Sequence, residues 1–367
     1  MSMNFLDHIG DLEDPRIPGM VLYPLDEVLL TALAGLLCRA EDFDEIEVVC
    51  TELLDWLRGL LPFKHGIAPA QTLRRTLARL DPRRLEEAFA AWTASLADRV
   101  RGVVAIDGKT VRGCKRDAGG KGALHLVAAF AHEAGLILAQ RAVDGKSNEI
   151  AAIPELLDLL EIEGAIVTID AMGTQKDIAA RILAKKADYI LALKGNQGTL
   201  QDDAAQFFAD PVLAQDCPHH EQTASGHGRI EERTCRAAGA QWLAKRHPEW
   251  KGLASIVSVT GRRTIKKTGA TSTETRLYIS SLPPDPVRLA AAVRAHWSVE
   301  NNLHWSLDVV FREDECRTRK DYSARNLAMI RRAVLNLLRR EPSTLSLKRK
   351  RLKAALNPAF RAAILAR

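Results

Sequence analysis

The sequence predicts an α/β protein with a mixed sheet of five strands flanked by helices, an all-helical region before it and a β-rich insertion within it. Three observations carry this prediction. Apolar residues recur at helical spacing through residues 1–100. Short apolar runs typical of buried strands begin near residue 103. From there the element order is β-β-β-α-β-α-β, and a three-strand meander followed by alternating helices and strands indicates a mixed sheet with helices on its faces.

Length, composition and cysteine placement predict a cytoplasmic protein of more than one domain. The chain has 367 residues, of which 47% are hydrophobic and 27% charged, as in globular proteins. No run of 18 apolar residues is present, and no basic stretch followed by an apolar one suggests a signal peptide. The six cysteines include no CxxC pair, so we expect neither a disulfide framework nor a zinc knuckle, and a reducing compartment.

Positive charge is concentrated at the end of the chain. The net charge is +6, yet residues 1–100 carry 10 basic and 17 acidic residues, whereas residues 312–367 carry 16 and 5. This concentration favours a polyanionic partner such as nucleic acid, although a solvated helical face explains it equally well. Residues 64–84 form a basic patch inside the acidic region. Its basic members are Lys64, Arg74, Arg75, Arg79, Arg83 and Arg84.

The first half of the chain is predicted to pass from helices to strands at about residue 100. Pro62, Gly66 and Pro69 interrupt the helical region, and helices restart near Gln71 and Pro82. The predicted strands are Val103–Ile106, Leu124–Phe130, Leu136–Val143, Ala165–Ile169 and Tyr189–Leu193. A helix over Glu149–Leu160 and another capped by Thr174 lie between the later strands.

The second half departs from this alternation. Residues 211–285 are predicted to form a β-rich insertion, with a hairpin from Ser255–Ile265 to Glu274–Ser280. Asp285 and Pro286 have the residue types of an N-cap and first turn, and they open a helix predicted to reach Phe311. A basic helix over about 321–340 and a basic tail follow.

Two acidic residues follow predicted strands of the sheet. Asp107 comes directly after the apolar run 103–106, and Asp170 comes after 165–169. Catalytic and ligand-binding groups collect at the carboxyl ends of such strands. An Asp there also caps the following turn, which is the alternative role at either position. Two such acids in one sheet favour a functional site.

Glu300 is the third candidate. On the predicted helix it belongs to a stripe of residues three or four apart that is otherwise mostly apolar and should face the sheet. The stripe contains Leu289, Val293, His296, Glu300, Leu303 and Leu307. A carboxylate in this stripe costs desolvation energy unless a cation compensates it.

Two alternatives stay open for the third acid. Glu300 is placed at the edge of the stripe if the helix rolls, where it pairs with Arg294 or His304. Spacing alone also does not exclude three nearby acids as the third ligand: Asp308, Glu313 and Asp314.

The chemistry of three converging acids points to metal-assisted phosphoryl transfer. Carboxylates without Cys or His ligands favour Mg²⁺ or Mn²⁺. Two such ions suit in-line displacement at phosphorus. Together with the basic tail, this predicts a nucleic-acid phosphodiester as substrate.

Six ordered motifs together resemble one family. They are AIDGKTVRG (105–113), GKSNEIAAIPELL (145–157), VTIDAMGTQKDIA (167–179), DYILALKGNQ (188–197), HGRIEER (227–233) and RAHWSVENNLHWSLDVVFREDECR (294–317). The chain resembles the DDE transposases of bacterial insertion sequences, in the branch that includes the H-repeat-associated proteins. YPLDEVLL (23–30) and HGIAPAQTLRRTLARLDP (65–82) resemble the associated helical domain of that family.

This resemblance implies a fold and a division of the chain. The catalytic core is expected to be RNase H-like, with Asp107, Asp170 and Glu300 as the metal-binding triad. The expected divisions are a helical domain (1–100), the first part of the core (101–210), a β-rich insertion (211–285), the second part of the core (286–345) and a basic tail (346–367).

The resemblance also implies double-stranded DNA as partner, at the terminal inverted repeats and the target, and a homodimer when bound to it. Two rival functions remain: a structure-specific nuclease on the same core, and a domesticated DNA-binding protein without catalysis. Many relatives have Tyr and Arg before the triad Glu and Lys after it, where this chain has Val293, His296 and Leu307.

Several residues are predicted DNA contacts, with loop solvation or helix packing as the alternative. Those near the triad are Lys109, Lys194, Asn196, Gln197, His296, Asn301 and His304. Those in the basic patch are Arg74, Arg75 and Arg79, within a unit that reads the repeats as a helix-turn-helix does. Trp297 and Trp305 either stack on a flipped base or pack in the helix.

Overall fold

The computed structural model describes residues 5–96, 100–114, 123–143, 149–226 and 228–367. The strands are β1 (Val103–Val111), β2 (Leu124–Ala131), β3 (Leu136–Val143), β4 (Ile166–Ile169), β5 (Asp188–Leu193), β6 (His219–Gly226), β7 (Arg229–Gly239), β8 (Ser255–Ile265) and β9 (Thr271–Ser280). Before β1 lie the helices α1 (Phe5–Ile9), α2 (Leu25–Leu37), α3 (Phe43–Glu52), α4 (Leu54–Leu57), α5 (Ala70–Arg79) and α6 (Pro82–Ser95). Among and after the strands lie α7 (Glu149–Asp158), α8 (Lys176–Ala184), α9 (Gly198–Ala209), α10 (Pro211–Gln215), α11 (Gln241–Arg246), α12 (Pro286–His296), α13 (Ser323–Arg340), α14 (Leu347–Leu356) and α15 (Pro358–Leu365).

The sheet is larger than the sequence predicts. Its order is β3-β2-β1-β4-β5-β9-β8-β7-β6, so the described sheet has nine strands rather than five. The first five strands are those predicted, with β1, β4 and β5 parallel to each other and the meander antiparallel. The prediction of five strands was wrong because β9 pairs antiparallel with β5 and joins the inserted strands to the same sheet. Such long-range pairing leaves no signal in local periodicity.

The first strand is also longer than predicted. β1 continues past Asp107 to Val111 because it pairs with β2 along its whole length, from Val104 with Ala131 to Val111 with Leu124. Its pairing with β4 is shorter and stops at Ile106. Asp107 therefore lies within β1, at the point where the neighbouring strand ends.

α13 is the helix around which the N-terminal helices and the sheet assemble. It is buried along nearly its whole length, and its apolar residues share one cluster with α2, α5 and α6 and with one face of β1–β3. Its polar residues are also used, since Asn336 exchanges hydrogen bonds with the backbone of Ile137 at 2.9 and 2.8 Å. Buried polar side chains with complete hydrogen bonds define one arrangement of the helix on the sheet.

A buried ion-pair network joins the helical region to the sheet. Glu86 of α6 accepts from Arg141 of β3 at 2.6 Å and from Arg325 of α13 at 2.7 and 2.8 Å. The Glu86 side chain is 1% exposed. Because two arginines neutralise this carboxylate, its burial is compensated, and removing it would take this partner from Arg325 and leave Arg141 with the more distant Glu155, 3.8 Å away.

The basic C-terminal segment is folded, and much of its charge is internal. It forms α14 and α15, which pack with α2 and α13. Lys350, Arg351 and Arg361 are buried, and Arg351 donates to the carbonyls of Leu36 and Ala40. The exposed basic residues of α14 are Lys348, Arg349 and Lys353. These exposed residues alone remain available for a phosphate clamp on this helix.

The described helices include none that is both long and apolar enough to span a membrane. All six cysteines are buried as free thiols.

Candidate active site

The register of two parallel strands brings Asp107 and Asp170 to one edge of the sheet. Ile106 of β1 is the partner of Ile169 of β4, and each is followed directly by an aspartate. Val103 and Ile166 face α12, as does Thr168, whose hydroxyl lies 3.0 Å from Nδ1 of His296. Because side chains alternate along a strand, Asp107 and Asp170 lie on this same face of the sheet.

Asp107 is a carboxylate in an unfavourable environment for its charge. Burial raises its pKa to about 7, and the neighbouring carboxylates of Glu300, Asp170 and Glu149 add to this effect. A hydrogen bond from the Gly108 amide, at 2.9 Å, opposes it. The site therefore holds excess negative charge that a bound cation would relieve.

Asp170 is held by a turn that residues after β5 stabilise by hydrogen bonds. Its Oδ1 accepts from the amides of Met172 and Gly173 at 3.0 and 3.2 Å, so the capping role is present as well. Asn196 donates to the carbonyl of Ala171 at 2.7 Å, and Gln197 donates to that of Thr174 at 2.9 Å. The predicted DNA contacts Asn196 and Gln197 thus have their amide nitrogens committed to the Asp170 loop.

Glu300 lies on a π-helical segment rather than on a continuous α-helix. α12 ends at His296, and π-helical turns follow over Val299–His304 and Ser306–Val310. The i→i+5 pattern is seen where the Trp305 amide donates to the Glu300 carbonyl. Since π turns disturb the 3.6-residue period, the predicted stripe is broken: Leu303 and Leu307 are buried, whereas the Glu300 side chain is 56% exposed.

His304 lies beside two of these acids, Glu300 and Asp107. Its Nδ1 lies 3.5 Å from Oε2 of Glu300 and 3.7 Å from Oδ2 of Asp107. Burial lowers the pKa of His304 to about 4, so the ring is neutral at physiological pH. The pairing of Glu300 with His304, which the sequence leaves open as an alternative, is therefore present, but the ring carries no positive charge.

The three rival acids are engaged with other cations. Asp308 and Asp314 lie 2.6 and 3.5 Å from Nζ of Lys109. The buried carboxylate of Glu313 lies 2.8 Å from Arg332. Lys109 itself is buried in this arrangement, and its ammonium is turned to the two aspartates.

The residues of the site fit a divalent cation. One ligand atom each of Asp107, Glu300 and His304 lies within 4.8 Å of the other two. Asp170 is outside this group but close enough to raise the pKa of Asp107. Within the described ranges, no Lys or Arg forms an ion pair with Asp107, Asp170 or Glu300. Carboxylates that lack a protein cation are suited to holding Mg²⁺ or Mn²⁺.

A pocket opens beside Asp170 between β4, β5, β9 and α12. Lys194, Arg276 and Trp297 contribute to its wall, together with His296 and Tyr278. The Arg276 guanidinium lies 4.3 Å above the Trp297 ring and donates to Glu274 at 2.8 Å. The local sequence gives no signal for Arg276, because its approach to Asp170 depends on the pairing of β9 with β5.

His296, which stands where many relatives have a basic residue, is neutral at physiological pH. Burial lowers the pKa of His296, and its Nδ1 is shared with Thr168. Lys194 and Asn301, by contrast, are exposed, and Lys194 lines the same pocket as Asp170.

The three arginines of the basic patch that are predicted DNA contacts share the helix α5. Arg75 and Arg79 of α5 are exposed, whereas Arg74 is half-buried and lies 3.2 Å from Asp44 and 5.6 Å from the Phe43 ring. His227 of the HGRIEER motif lies outside the described residues, and the Arg229 guanidinium lies 2.9 Å from Glu231.

Comparisons with known proteins identify the family of this chain. A family model described as a transposase DDE domain matches residues 98–337, and one described as DDE_Tnp_1-associated matches residues 6–93. YncI of Escherichia coli O157:H7 is 38% identical over 99% of this chain and 94% of its own. The H repeat-associated YhhI of Escherichia coli K12 is 36% identical over 98% and 97%. Both names class the protein provisionally as a transposase.

Among solved structures, a piggyBac transposase synaptic complex with hairpin DNA aligns with a TM-score of 0.49 at 11% identity, covering 96% of this chain and 75% of that chain. The domain match spans more than half of the chain, and both relatives align over nearly all of it. This chain belongs to the family of DDE transposases.

Proposed function

We propose that this protein is the transposase of an insertion sequence, which cleaves DNA at the ends of its element and transfers the freed strand to a target. The observation that carries the proposal is the convergence of Asp107 and Asp170 on one edge and face of the sheet, with Glu300 beside Asp107. Strand cleavage and strand transfer both require in-line attack at a phosphodiester, which acidic metal sites promote.

The core is proposed to be RNase H-like. The order β3-β2-β1-β4-β5, with a meander leading into parallel strands, supports this assignment. Strands β6–β9 would then be an insertion that extends the core sheet, within residues 211–285. Residues 1–100 would be the associated helical domain, 101–210 and 286–345 the two parts of the core, and 346–367 the basic tail.

Asp107, Asp170 and Glu300 are proposed to hold two divalent cations, Mg²⁺ or Mn²⁺. When bound, such ions activate the attacking oxygen and stabilise charge on the leaving oxygen. The protein residues contribute position: β1 and β4 fix the two aspartates, and Asn196 and Gln197 fix the loop that follows Asp170. A site held by rigid strands keeps its ligands in place when the substrate arrives.

Double-stranded DNA is the proposed partner, at terminal inverted repeats and at a target site. Lys194 and Arg276 line the pocket beside Asp170 and supply positive charge for a phosphate. Arg75 and Arg79 on α5 are the proposed readers of the repeat, with Arg74 oriented by Asp44. Two ends must be held together during excision, so a homodimer is proposed on DNA. The proposed compartment is the bacterial cytoplasm, at the nucleoid.

Strand cleavage of DNA that carries the repeats flanking the gene tests the proposal. With Mg²⁺ or Mn²⁺, the protein should nick at the element end and join the freed 3′-hydroxyl to a second duplex. Asp107→Asn, Asp170→Asn and Glu300→Gln should each abolish both steps and retain DNA binding. Asp177→Asn, at an exposed carboxylate on α8, is the matched control and should cleave normally.

Three results would overturn parts of the proposal. Normal cleavage by Glu300→Gln would remove this residue from the triad. Cleavage that ignores the repeat sequence would indicate a structure-specific nuclease. DNA binding with a steep salt dependence but no cleavage at any metal concentration would indicate a domesticated binding protein.

A further inference from the structure

The imidazole of His304 faces the carboxylates of Glu300 and Asp107 without a close hydrogen bond to either. Its Nδ1 lies 3.5 Å from Glu300 Oε2 and 3.7 Å from Asp107 Oδ2, which is longer than a direct hydrogen bond. Its Nε2 is buried and has no hydrogen-bond partner in the described chain. Nδ1 is the ring nitrogen that faces the two carboxylates, so it is the donor atom available to an ion between them.

The spacing of these atoms is that of ligands around one ion. Donor atoms that each lie about 2.1 Å from a cation are separated from one another by roughly 3 to 4 Å. The three donors of Asp107, Glu300 and His304 lie within 4.8 Å of one another. Little rearrangement is therefore needed for all three to contact the same ion.

The π-helical segment accounts for how two of the donors come together. Glu300 and His304 begin and end nearly one turn of this segment, so their side chains emerge on the same side. Leu303 is buried next to them and anchors the turn against the core. The sheet supplies the third donor, Asp107, from β1.

We propose that His304 is a metal ligand, and that its Nδ1 joins Asp107 and Glu300 in a mixed nitrogen–oxygen site that prefers Mn²⁺ to Mg²⁺. This inference rests on the proposed function and refines it. Imidazole binds transition-metal ions well, whereas Mg²⁺ prefers oxygen ligands.

Mn²⁺ binding to the DNA-free protein tests the assignment without relying on activity. Electron spin echo envelope modulation of bound Mn²⁺ reports a coordinated imidazole nitrogen directly. The wild-type protein should show this ¹⁴N coupling, and His304→Phe, which keeps an aromatic ring but has no ring nitrogen, should lose it. Mn²⁺ affinity should fall at least about tenfold, the lower end of what the loss of even an outer-shell partner costs.

Two further variants keep the test decisive. His304→Asp restores an oxygen ligand, so it should bind Mg²⁺ as well as the wild type or better while the preference for Mn²⁺ falls. The matched control is His220→Phe, on β6 at the far edge of the sheet from Asp107 and Glu300. This variant should retain the ¹⁴N coupling and the Mn²⁺ affinity. If His304→Phe does not fold, His304→Asp alone still tests the assignment, because it too should lose the ¹⁴N coupling.

The outcomes separate this inference from the proposed function. Bound Mn²⁺ that lacks ¹⁴N coupling in the wild type, yet is lost in Asp107→Asn, would refute the role of His304 and leave the acidic site standing. A coupling that persists in His304→Phe would refute it too, since another histidine would be the ligand. Mn²⁺ binding unchanged by Asp107→Asn would instead refute the proposed site as a whole.

Discussion

Ile106 and Ile169 are partners on parallel strands, and the residue after each is an aspartate. This single register positions Asp107 and Asp170 side by side on the face covered by α12. A shift of one residue in either strand would send one carboxylate to the opposite face. The geometry of the site is therefore set by the packing of the strand interiors, several residues away from the acids.

Metal affinity should rise with pH through neutrality. The pKa of Asp107 is raised to about 7, chiefly by burial, so below that pH its carboxyl must lose a proton before it can bind an ion. We expect affinity for Mn²⁺ to fall about tenfold per pH unit below 7 and to level off above 8. Calorimetric titration in buffers of different ionisation enthalpy would measure the released proton. An affinity that is constant from pH 6 to 8 would contradict the raised pKa.

Asp107→Asn should stabilise the metal-free protein at alkaline pH. Folding raises the pKa of Asp107 above its ordinary value of 3.8. The protonated carboxyl therefore contributes its full stability to the fold below pH 3.8, and this contribution is lost progressively as the pH rises through about 7. A shift of this size corresponds to about 4 kcal/mol at pH 8, as an upper estimate. Urea unfolding should show the variant to be more stable at pH 8 and similar to wild type at pH 4. Added Mg²⁺ should stabilise the wild type only.

Asn196→Ala should slow cleavage and leave DNA affinity unchanged. The substitution removes the hydrogen bond to the Ala171 carbonyl beside Asp170, a bond worth about 1 kcal/mol. We expect the cleavage rate at saturating DNA to fall up to about tenfold. Lys194→Ala is the comparison: it should weaken DNA binding and reduce its salt dependence. A loss of DNA affinity in Asn196→Ala would return this residue to the DNA contacts that the sequence predicts.

Glu86→Gln should destabilise the whole fold. The substitution removes the carboxylate that Arg141 and Arg325 share, and breaking a buried ion pair costs about 3–5 kcal/mol. The midpoint of urea unfolding should move strongly to lower concentration. Glu87→Gln is the matched control on the same helix, because Glu87 is exposed and its ion pair is with exposed Arg84, 3.3 Å away. Equal effects of the two substitutions would contradict the network.

The exposed part of α14 should contribute to DNA affinity without affecting stability. Replacing Lys348, Arg349 and Lys353 by Gln should lower affinity for any DNA sequence and make its salt dependence less steep, by about 0.9 in logarithmic slope for each phosphate that is no longer neutralised. Arg351→Ala should instead destabilise the protein, since it removes donors to Leu36 and Ala40. An unchanged salt slope in the triple variant would remove α14 from the DNA-binding surface.

The sequence by itself predicted the order of the first five strands and named all three acids of the proposed triad. Short continuous apolar runs predict these strands, and an aspartate follows each run in the sequence, so local information was enough to name Asp107 and Asp170 as candidates. Glu300 emerged from helical spacing and from the resemblance, although the helix that carries it is interrupted.

Only the tertiary structure decided the remaining features. The nine-stranded sheet depends on β9 pairing with β5, and the internal charges of α14 depend on carbonyls of α2 and the turn after it. The partners of Lys109 and the position of His304 beside Asp107 likewise join residues far apart in the chain. Periodicity reports which side of an element is buried, but the partner it meets follows from the packing of the whole chain.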